Sequence, residues 1–136
     1  MKKYNIIIVY SPDESRVLMC RREKDPYKGL LNFVGGKVEG GEDELAAAYR
    51  ELYEETGIGE TDIRLTHAMD FQYYLSGFEL QVFAGKLLKD VPLHKEVNEL
   101  LWISVTENFC DTTRFAGEGN IAHMLLRLDC FKDILF

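Results

Sequence analysis

Cysteine is scarce in this sequence, and what there is lies far apart. Cys20, Cys110 and Cys130 are odd in number and form no CxxC or Cys/His pattern. That spacing argues against a disulfide framework and against a zinc module, and three free thiols in a reduced compartment are expected. Long apolar runs are missing as well. The opening MKKYNIIIVYSP is too short in its apolar stretch for a secretory leader and has no cleavage-like end, and no segment reaches the length of a membrane span. The expectation is a cytoplasmic, soluble chain with no membrane partner. Positive charge is the third shortage: 16 Lys and Arg stand against 23 Asp and Glu, a net charge of -7. A nucleic-acid polymer wants a basic surface, so it is not expected as a partner. A small anionic ligand remains open, because a bound cation reverses the local sign. Internal repeats, low-complexity tracts and linker-like stretches are also absent. One domain, residues 1–136, is expected, as a monomer or homodimer.

What is present is a mixture of strand and helix signals without regular alternation. Tyr4 to Tyr10 is β-branched and aromatic, and Arg16 to Arg22 alternates around Val17, Leu18 and Met19 as a hairpin partner would. Glu23 to Leu31 carries Asp25, Pro26 and Gly29 and reads as a loop, with a short strand at Asn32 to Val34. Asp43 to Thr56 is the clearest helix, with Leu45, Ala48, Tyr49 and Leu52 on one side, Asp43 placed to cap it and Gly57 to stop it. Strands at about Ile63 to Tyr74 and Phe78 to Leu88 flank a Ser76-Gly77 turn, and Leu100 to Val105 holds the only Trp, Trp102. Asn120 to Phe131 is amphipathic through Ile121, Met124, Leu125 and Leu128. A mixed central β-sheet with helices packed on it follows, an α/β (α+β) fold.

The chemistry lies in GGKVEGGEDELAAAYRELYEETGI, residues 35 to 58. At roughly 100° per residue, Glu51, Glu54 and Glu55 fall together beside the apolar side of the helix. Three stacked carboxylates repel one another, and they sit near a helix C-terminus, where negative charge is disfavoured. A solvated acidic face is one account of them; a bound hard divalent cation such as Mg²⁺ is the other. Just before the helix, Gly35, Gly36, Gly40 and Gly41 flank Lys37 and Glu39, and glycines there allow the backbone close to a ligand or metal.

This stretch resembles the box of the Nudix hydrolase family, GX5EX7REUXEEXGU with U a bulky aliphatic residue. Gly36, Glu42, Arg50, Glu51, Leu52, Glu54, Glu55, Gly57 and Ile58 match it at every position. A chance match is on the order of 10⁻⁹ per start site at average residue usage. The resemblance implies an α/β/α sandwich and hydrolysis of a phosphoanhydride bond in a nucleotide with Mg²⁺, or Mn²⁺, as cofactor. It implies Glu54 and Glu55 as main metal ligands, Glu51 as ligand or general base, and the Gly35 carbonyl as a further metal contact. Arg50 would orient the glutamates, and Glu42 would brace the loop. A further acidic group is implied on the loop before the Trp-bearing strand, with Glu96 favoured over Glu99. Since all the box glutamates are present, a non-catalytic nucleotide-binding module is disfavoured.

The box reports the diphosphate chemistry and leaves the attached group open. Asn32 stands where a MutT-type branch, acting on oxidised purine triphosphates, contacts the base, and an amide can read a purine edge with a donor and an acceptor; a turn role is the alternative. Glu118 and Asn120 in FAGEGN are further candidates for the substrate, with helix capping the competing role for Asn120. Lys37 is a candidate phosphate contact, and Phe33 and Tyr74 are candidates for stacking or for the core. Phe33-Val34 replaces the Phe-Pro common before the paired glycines, and the absence of proline between Gly57 and Pro92 speaks against the ADP-ribose branch. The expectation is a nucleoside triphosphate pyrophosphohydrolase releasing a nucleoside monophosphate and pyrophosphate, with 8-oxo-dGTP among the substrates. Dinucleoside polyphosphates or other nucleoside diphosphate derivatives are the alternative; Tyr73 and Tyr74 lie near a tyrosine of the dinucleoside branch.

Overall fold

The structure, a computed structural model, describes residues 1–136. Its elements are β1 (Lys2–Tyr10), β2 (Arg16–Arg21), β3 (Leu31–Asn32), β4 (Val34–Lys37), α1 (Glu44–Thr56), β5 (Thr66–Tyr73), β6 (Phe78–Lys86), β7 (Glu99–Ser104), α2 (Asn120–Asp129) and α3 (Lys132–Leu135). Strand β1 is central. It runs parallel to β6 along its whole length, Lys2 opposite Phe78 and Tyr10 opposite Lys86, and β5 continues the sheet antiparallel beyond β6.

On its other side β1 is shared. Strand β4 pairs antiparallel with Tyr4 to Ile7, whereas β2 touches β1 only where Tyr10 faces Val17. The expected β1–β2 hairpin is therefore reduced to its turn. The lower edge of β1 belongs to β4, so β2 diverges and pairs instead with β7, Arg16 opposite Ser104 through Arg21 opposite Glu99, and with β3. This fork in the sheet positions the glycine loop. One parallel pair among antiparallel ones makes the sheet mixed, as expected.

Strand β1 is an unbroken apolar run because both its faces are covered. Ile7 and Val9 join Leu18, Val34, Phe83 and, from α1, Ala48 and Leu52. Ile8 and Tyr10 join Val17, Met19 and Val82 beneath Met124 and Leu128 of α2. Each fully buried side chain of this kind contributes about 1.5–3 kcal/mol. Helices thus cover both faces, the α/β/α sandwich the resemblance implied.

Helix α1 starts and stops as its sequence indicates: the Asp43 side chain accepts from Ala46 N–H, and Gly57 adopts the left-handed conformation at φ 80°. Its buried face, however, is Ala47, Ala48, Leu52 and Thr56. Leu45, assigned above to the core side, is 40% exposed and lines an open groove with Tyr49, Leu65 and Phe83. Ile63 contributes only an isolated bridge to Leu87, so β5 is shorter than expected. The last helix ends at Asp129, and α3 follows as a separate short turn of helix. No helix is long and apolar enough to cross a membrane.

All three cysteines are free; Cys20 is buried and Cys110 and Cys130 are exposed. Burial pushes the Cys20 thiol up to about 11. Thiolate is the reactive form. Titration of unreduced native protein should therefore count two fast thiols, and unfolding should release the third. A total of one would mean a disulfide.

Candidate active site

The box loop is held by a single arginine. Arg50 donates from Nε and Nη2 to the two oxygens of Glu42, at 2.6 and 3.0 Å, a bidentate pair. Nη2 also reaches the Lys37 carbonyl at 3.2 Å, and Nη1 reaches Glu51 at 3.1 Å and Glu54 at 3.3 Å. Glu42, Glu51, Glu54 and the loop backbone are thereby tied to one side chain. Arg50's pKa is raised, first by its hydrogen bond to Glu42, and Glu42's is lowered by the same bond.

On the adjacent side of α1, Glu55 turns inward and accepts from Gly35 N–H at 3.0 Å. It lines a cavity of about 170 Å³ with Glu96, Cys20 and Val34. Burial is the main cause that raises the Glu55 carboxyl to about 7; Gly35 N–H lowers it, and the charges of Glu51 and Glu96 add to the rise. Glu51 is raised too, again mainly by burial, with Arg50 opposing and Glu54 and Glu96 repelling. Of the two candidates before the Trp-bearing strand, Glu96 faces this cavity, whereas Glu99 is exposed and pairs with Arg21, its cross-strand partner on β2. Gly36 leaves the room that Glu51 takes: a Cβ there would lie 2.4 Å from the Glu51 carboxyl carbon and would make the carboxylate move.

As they stand, no three carboxylate, thiol or imidazole side chains are gathered closely enough to chelate an ion. Arg50 draws Glu51 and Glu54 to one side while Glu55 faces Gly35. The donor set nonetheless suits a hard divalent cation. Glu51, Glu55 and Glu96 are oxygen donors whose crowding and burial raise two of the carboxyl pKa values, a condition that a divalent charge relieves. The Glu54 side chain is 49% exposed, and its contacts to Arg50 are the long ones, at 3.3 and 3.4 Å.

A second, larger cleft of about 560 Å³ opens on the α2 face. It gathers Asn32, Glu118 and Asn120 together. The reason is local: the backbone of Leu31 donates to the Arg114 carbonyl and accepts from Ala116 N–H, so residues 114–116 extend the edge of β3. The chain then turns through Gly117, Glu118 and Gly119, all at positive φ, and enters α2. Glycine takes that conformation freely; Glu118, at φ 56°, costs about 1 kcal/mol, as strained non-glycine residues at sites do. The helix cap is thereby Gly119, without a side-chain bond. Asn120, for which capping competed with a substrate role, instead donates through its amide to the Tyr73 hydroxyl at 3.2 Å, and its carbonyl oxygen is left over. Asn32 does serve its turn, accepting from Phe33 N–H at 2.8 Å, which leaves its NH₂ group for the cleft.

The cleft's aromatic wall was not foreseen. Tyr73 stacks on Phe78, and Tyr4 meets Phe78 edge-on, with Tyr27 opposite. Phe33 is buried in the core and Tyr74 is 73% exposed, so neither offers a stacking surface. Period-two alternation puts Tyr4 with Ile6 and Ile8, but its meeting with Phe78 depends on the parallel β1–β6 pairing. Arg22 was also missed. It lines the cleft, donates to the Pro26 carbonyl at 2.7 Å and lies close enough to Glu55 and Cys20 for its charge to oppose, in small part, the burial that raises both pKa values. It thus stands between the cleft and the glutamates. Lys37 is exposed and lines neither cavity.

A glycine loop locked to an acidic helix, on a forked mixed sheet between two helical layers, is the framework of a hydrolase acting on phosphoanhydrides. Residues 1–125 match the NUDIX domain, and the chain belongs to the Nudix family. It is 28% identical over 126 residues, 91% of its own length and 98% of the relative's, to the 8-oxo-dGTP diphosphatase of Escherichia coli K12. Its fold matches that of MutT described for Aliivibrio salmonicida and Vibrio cholerae, with a TM-score of 0.72 and 23% identity over 96% of this chain and 98% of the other. It also matches a C. elegans Ap4A hydrolase, with a TM-score of 0.77 and 19% identity over 98% of each chain.

Proposed function

We propose that this protein hydrolyses a nucleoside triphosphate to the monophosphate and pyrophosphate, and prefers guanine-type bases, the oxidised 8-oxo-dGTP included. The observation that carries this reading is the polar edge of the aromatic cleft. Asn32 has donors to offer, while Asn120 and Glu118 have acceptors. Guanine presents the complement, an O6 acceptor beside N1–H and N2–H₂ donors; adenine presents a donor at N6 and an acceptor at N1. The relative from E. coli, an 8-oxo-dGTP diphosphatase, supports the same choice.

In this reading the base stacks against Tyr73, Phe78 and Tyr4, and the phosphates pass Arg22 towards the cavity of Glu55 and Glu96. Glu51, Glu54, Glu55 and the Gly35 carbonyl would hold Mg²⁺ or Mn²⁺. When bound, that ion supplies charge neutralisation for the phosphates and lowers the pKa of water. Arg50 holds Glu51 and Glu54 in orientation. Glu96, or Glu51, takes the proton of the attacking water. The water oxygen bonds to one of the two phosphorus atoms that share the α–β bridge, the bridging P–O bond breaks, and its electron pair leaves with the other phosphate-bearing product, so that monophosphate and pyrophosphate are released. Catalysis here is positioning and electrostatics.

The test is a hydrolysis screen with Mg²⁺ over standard and oxidised nucleoside triphosphates, dinucleoside polyphosphates and nucleotide sugars. Equimolar monophosphate and pyrophosphate from guanine-type triphosphates is expected, and excess chelator should abolish turnover. Faster cleavage of dinucleoside polyphosphates would move the assignment to that substrate class. Undiminished activity in chelator would remove the metal from the site.

A further inference from the structure

Two buried polar side chains lie beneath the box loop, and the mechanism above uses neither. Asn5 is 2% exposed and Gln81 is 1% exposed. They are direct partners in the parallel β1–β6 register and share the face of Ile7, Val9 and Phe83, under α1. Asn5 Oδ1 accepts from Gly36 N–H at 2.9 Å, but Asn5 Nδ2 and Gln81 Oε1 have no partner. A buried donor and a buried acceptor left unpaired cost free energy that an apolar pair would not. The two residues lie at the end of the apolar layer, between Ile7 and Phe83 on one side and Lys3 and Glu79 on the other, and of the two only Asn5 reaches the loop.

We propose that Asn5 is a positioning residue for the catalytic loop, fixing the Gly35–Gly36 peptide against the glutamates. The inference rests on the reading of the glutamate site given above. Strand β4 approaches β1 so closely here that a Cβ on Gly35 would fall 2.1 Å from the Asn5 carbonyl oxygen. Gly36 is held from both sides, by the Asn5 amide oxygen on its N–H and by the Glu51 carboxylate against its Cα. The preceding N–H, of Gly35, holds Glu55. One side chain on β1 therefore sets the backbone on which both Glu51 and Glu55 rest. The acceptor has to come from a side chain of this length, because the apolar neighbours on this face of β1 have none.

The experiment compares Asn5→Leu and Asn5→Ser with Gln81→Met, which lies in the same layer and makes no bond to the loop. Serine is too short to reach Gly36 N–H, so it carries the test if the leucine variant does not fold. Mn²⁺ affinity is measured without nucleotide by paramagnetic relaxation of water protons, together with kcat, KM, melting temperature and the Gly36 amide resonance. The Asn5 variant should bind Mn²⁺ at least tenfold more weakly. Its kcat should fall tenfold or more with the nucleotide KM within about twofold, and the Gly36 amide should move upfield. Gln81→Met should change melting temperature alone. Unchanged Mn²⁺ affinity and kcat in the folded Asn5 variant would overturn the proposal even if its melting temperature fell. A wild-type protein that binds no Mn²⁺ would count against the glutamate site itself. The Gly36 resonance then decides the loop contact: its expected shift would keep the contact, and an unmoved resonance would overturn that too.

Discussion

Glu55→Gln should be nearly inactive and yet more stable than the natural protein when metal is chelated at pH 8. The two effects share one cause. The Glu55 carboxyl is raised to about 7 from an ordinary 4.5, chiefly by burial, with the charges of Glu51 and Glu96 adding to it. A carboxyl raised in the folded state contributes stability that is full below about pH 4.5 and is lost as pH rises through about 7. At pH 8 the folded protein therefore carries a charge that the unfolded chain holds more cheaply, by at most about 3 kcal/mol. Glutamine keeps an oxygen for Gly35 N–H and never carries the charge. In excess chelator at pH 8 its melting temperature should be higher, by roughly 10 °C at the upper limit. Near pH 4.5 the two proteins should melt together. With Mg²⁺ the order should reverse, since ligand binding to the native state stabilises only the protein that binds it. Hydrolysis should fall by roughly a thousandfold, the upper range for removing one electrostatic group from a site. Melting curves at two pH values with and without Mg²⁺, and a turnover assay, read all of this. Equal melting at pH 8 in chelator would mean that Glu55 is no strained charge, and retained turnover would mean that it is no ligand.

Local chemistry was legible from the residues, and long-range pairing was not. Asp43 and Gly57 bound α1 because a cap and a left-handed stop act within one turn of helix. The crowding of Glu51, Glu54 and Glu55 followed from helical spacing alone. What those glutamates do when Arg50 competes for them did not follow: helical spacing places side chains near each other, and the partners that turn Glu51 and Glu54 towards Arg50 and Glu55 towards Gly35 are set by the folded loop. Strand β2 looked like the partner of β1 because it is next in sequence. That β4 takes the edge of β1 depends on a glycine pair that can approach the Asn5 backbone, a contact visible only in three dimensions. Asn120 looked like a cap because asparagine is a good one, but the turn through Gly117 and Gly119 supplies the cap position one residue earlier. Tyr74 and Tyr73 are adjacent and chemically equal in the sequence. The strand ends at Tyr73, which the register with β6 sets against Phe78, whereas Tyr74 already belongs to the turn and is exposed.

Base choice should be lost before bond cleavage is. Asn32→Ala removes the NH₂ group that faces the cleft and the oxygen that caps Phe33 N–H. Glu118→Gln exchanges a pure acceptor for an amide in the middle of a left-handed turn. If guanine is recognised as proposed, each leaves one polar group of the base unpaired or mismatched in a partly dry cleft, at about 1–3 kcal/mol, or roughly 10- to 100-fold in specificity constant. The loss should fall on guanine-type triphosphates. Adenine analogues, mismatched already, should change little, so the ratio of specificity constants drops while Mg²⁺ dependence and residual hydrolysis persist. Asn32→Ala should also melt lower, because its oxygen is a turn acceptor. Glu118→Gln should not, since Glu118 is exposed and its side chain caps nothing. The pair of variants therefore separates stability from selection. A reduced ratio in both, with reduced melting in Asn32→Ala alone, supports a shared base edge. An unchanged ratio in Glu118→Gln would remove Glu118 from that edge, and an unchanged ratio in both would leave the aromatic wall of Tyr4, Tyr73 and Phe78 as the base contact, a surface that holds any base and selects none.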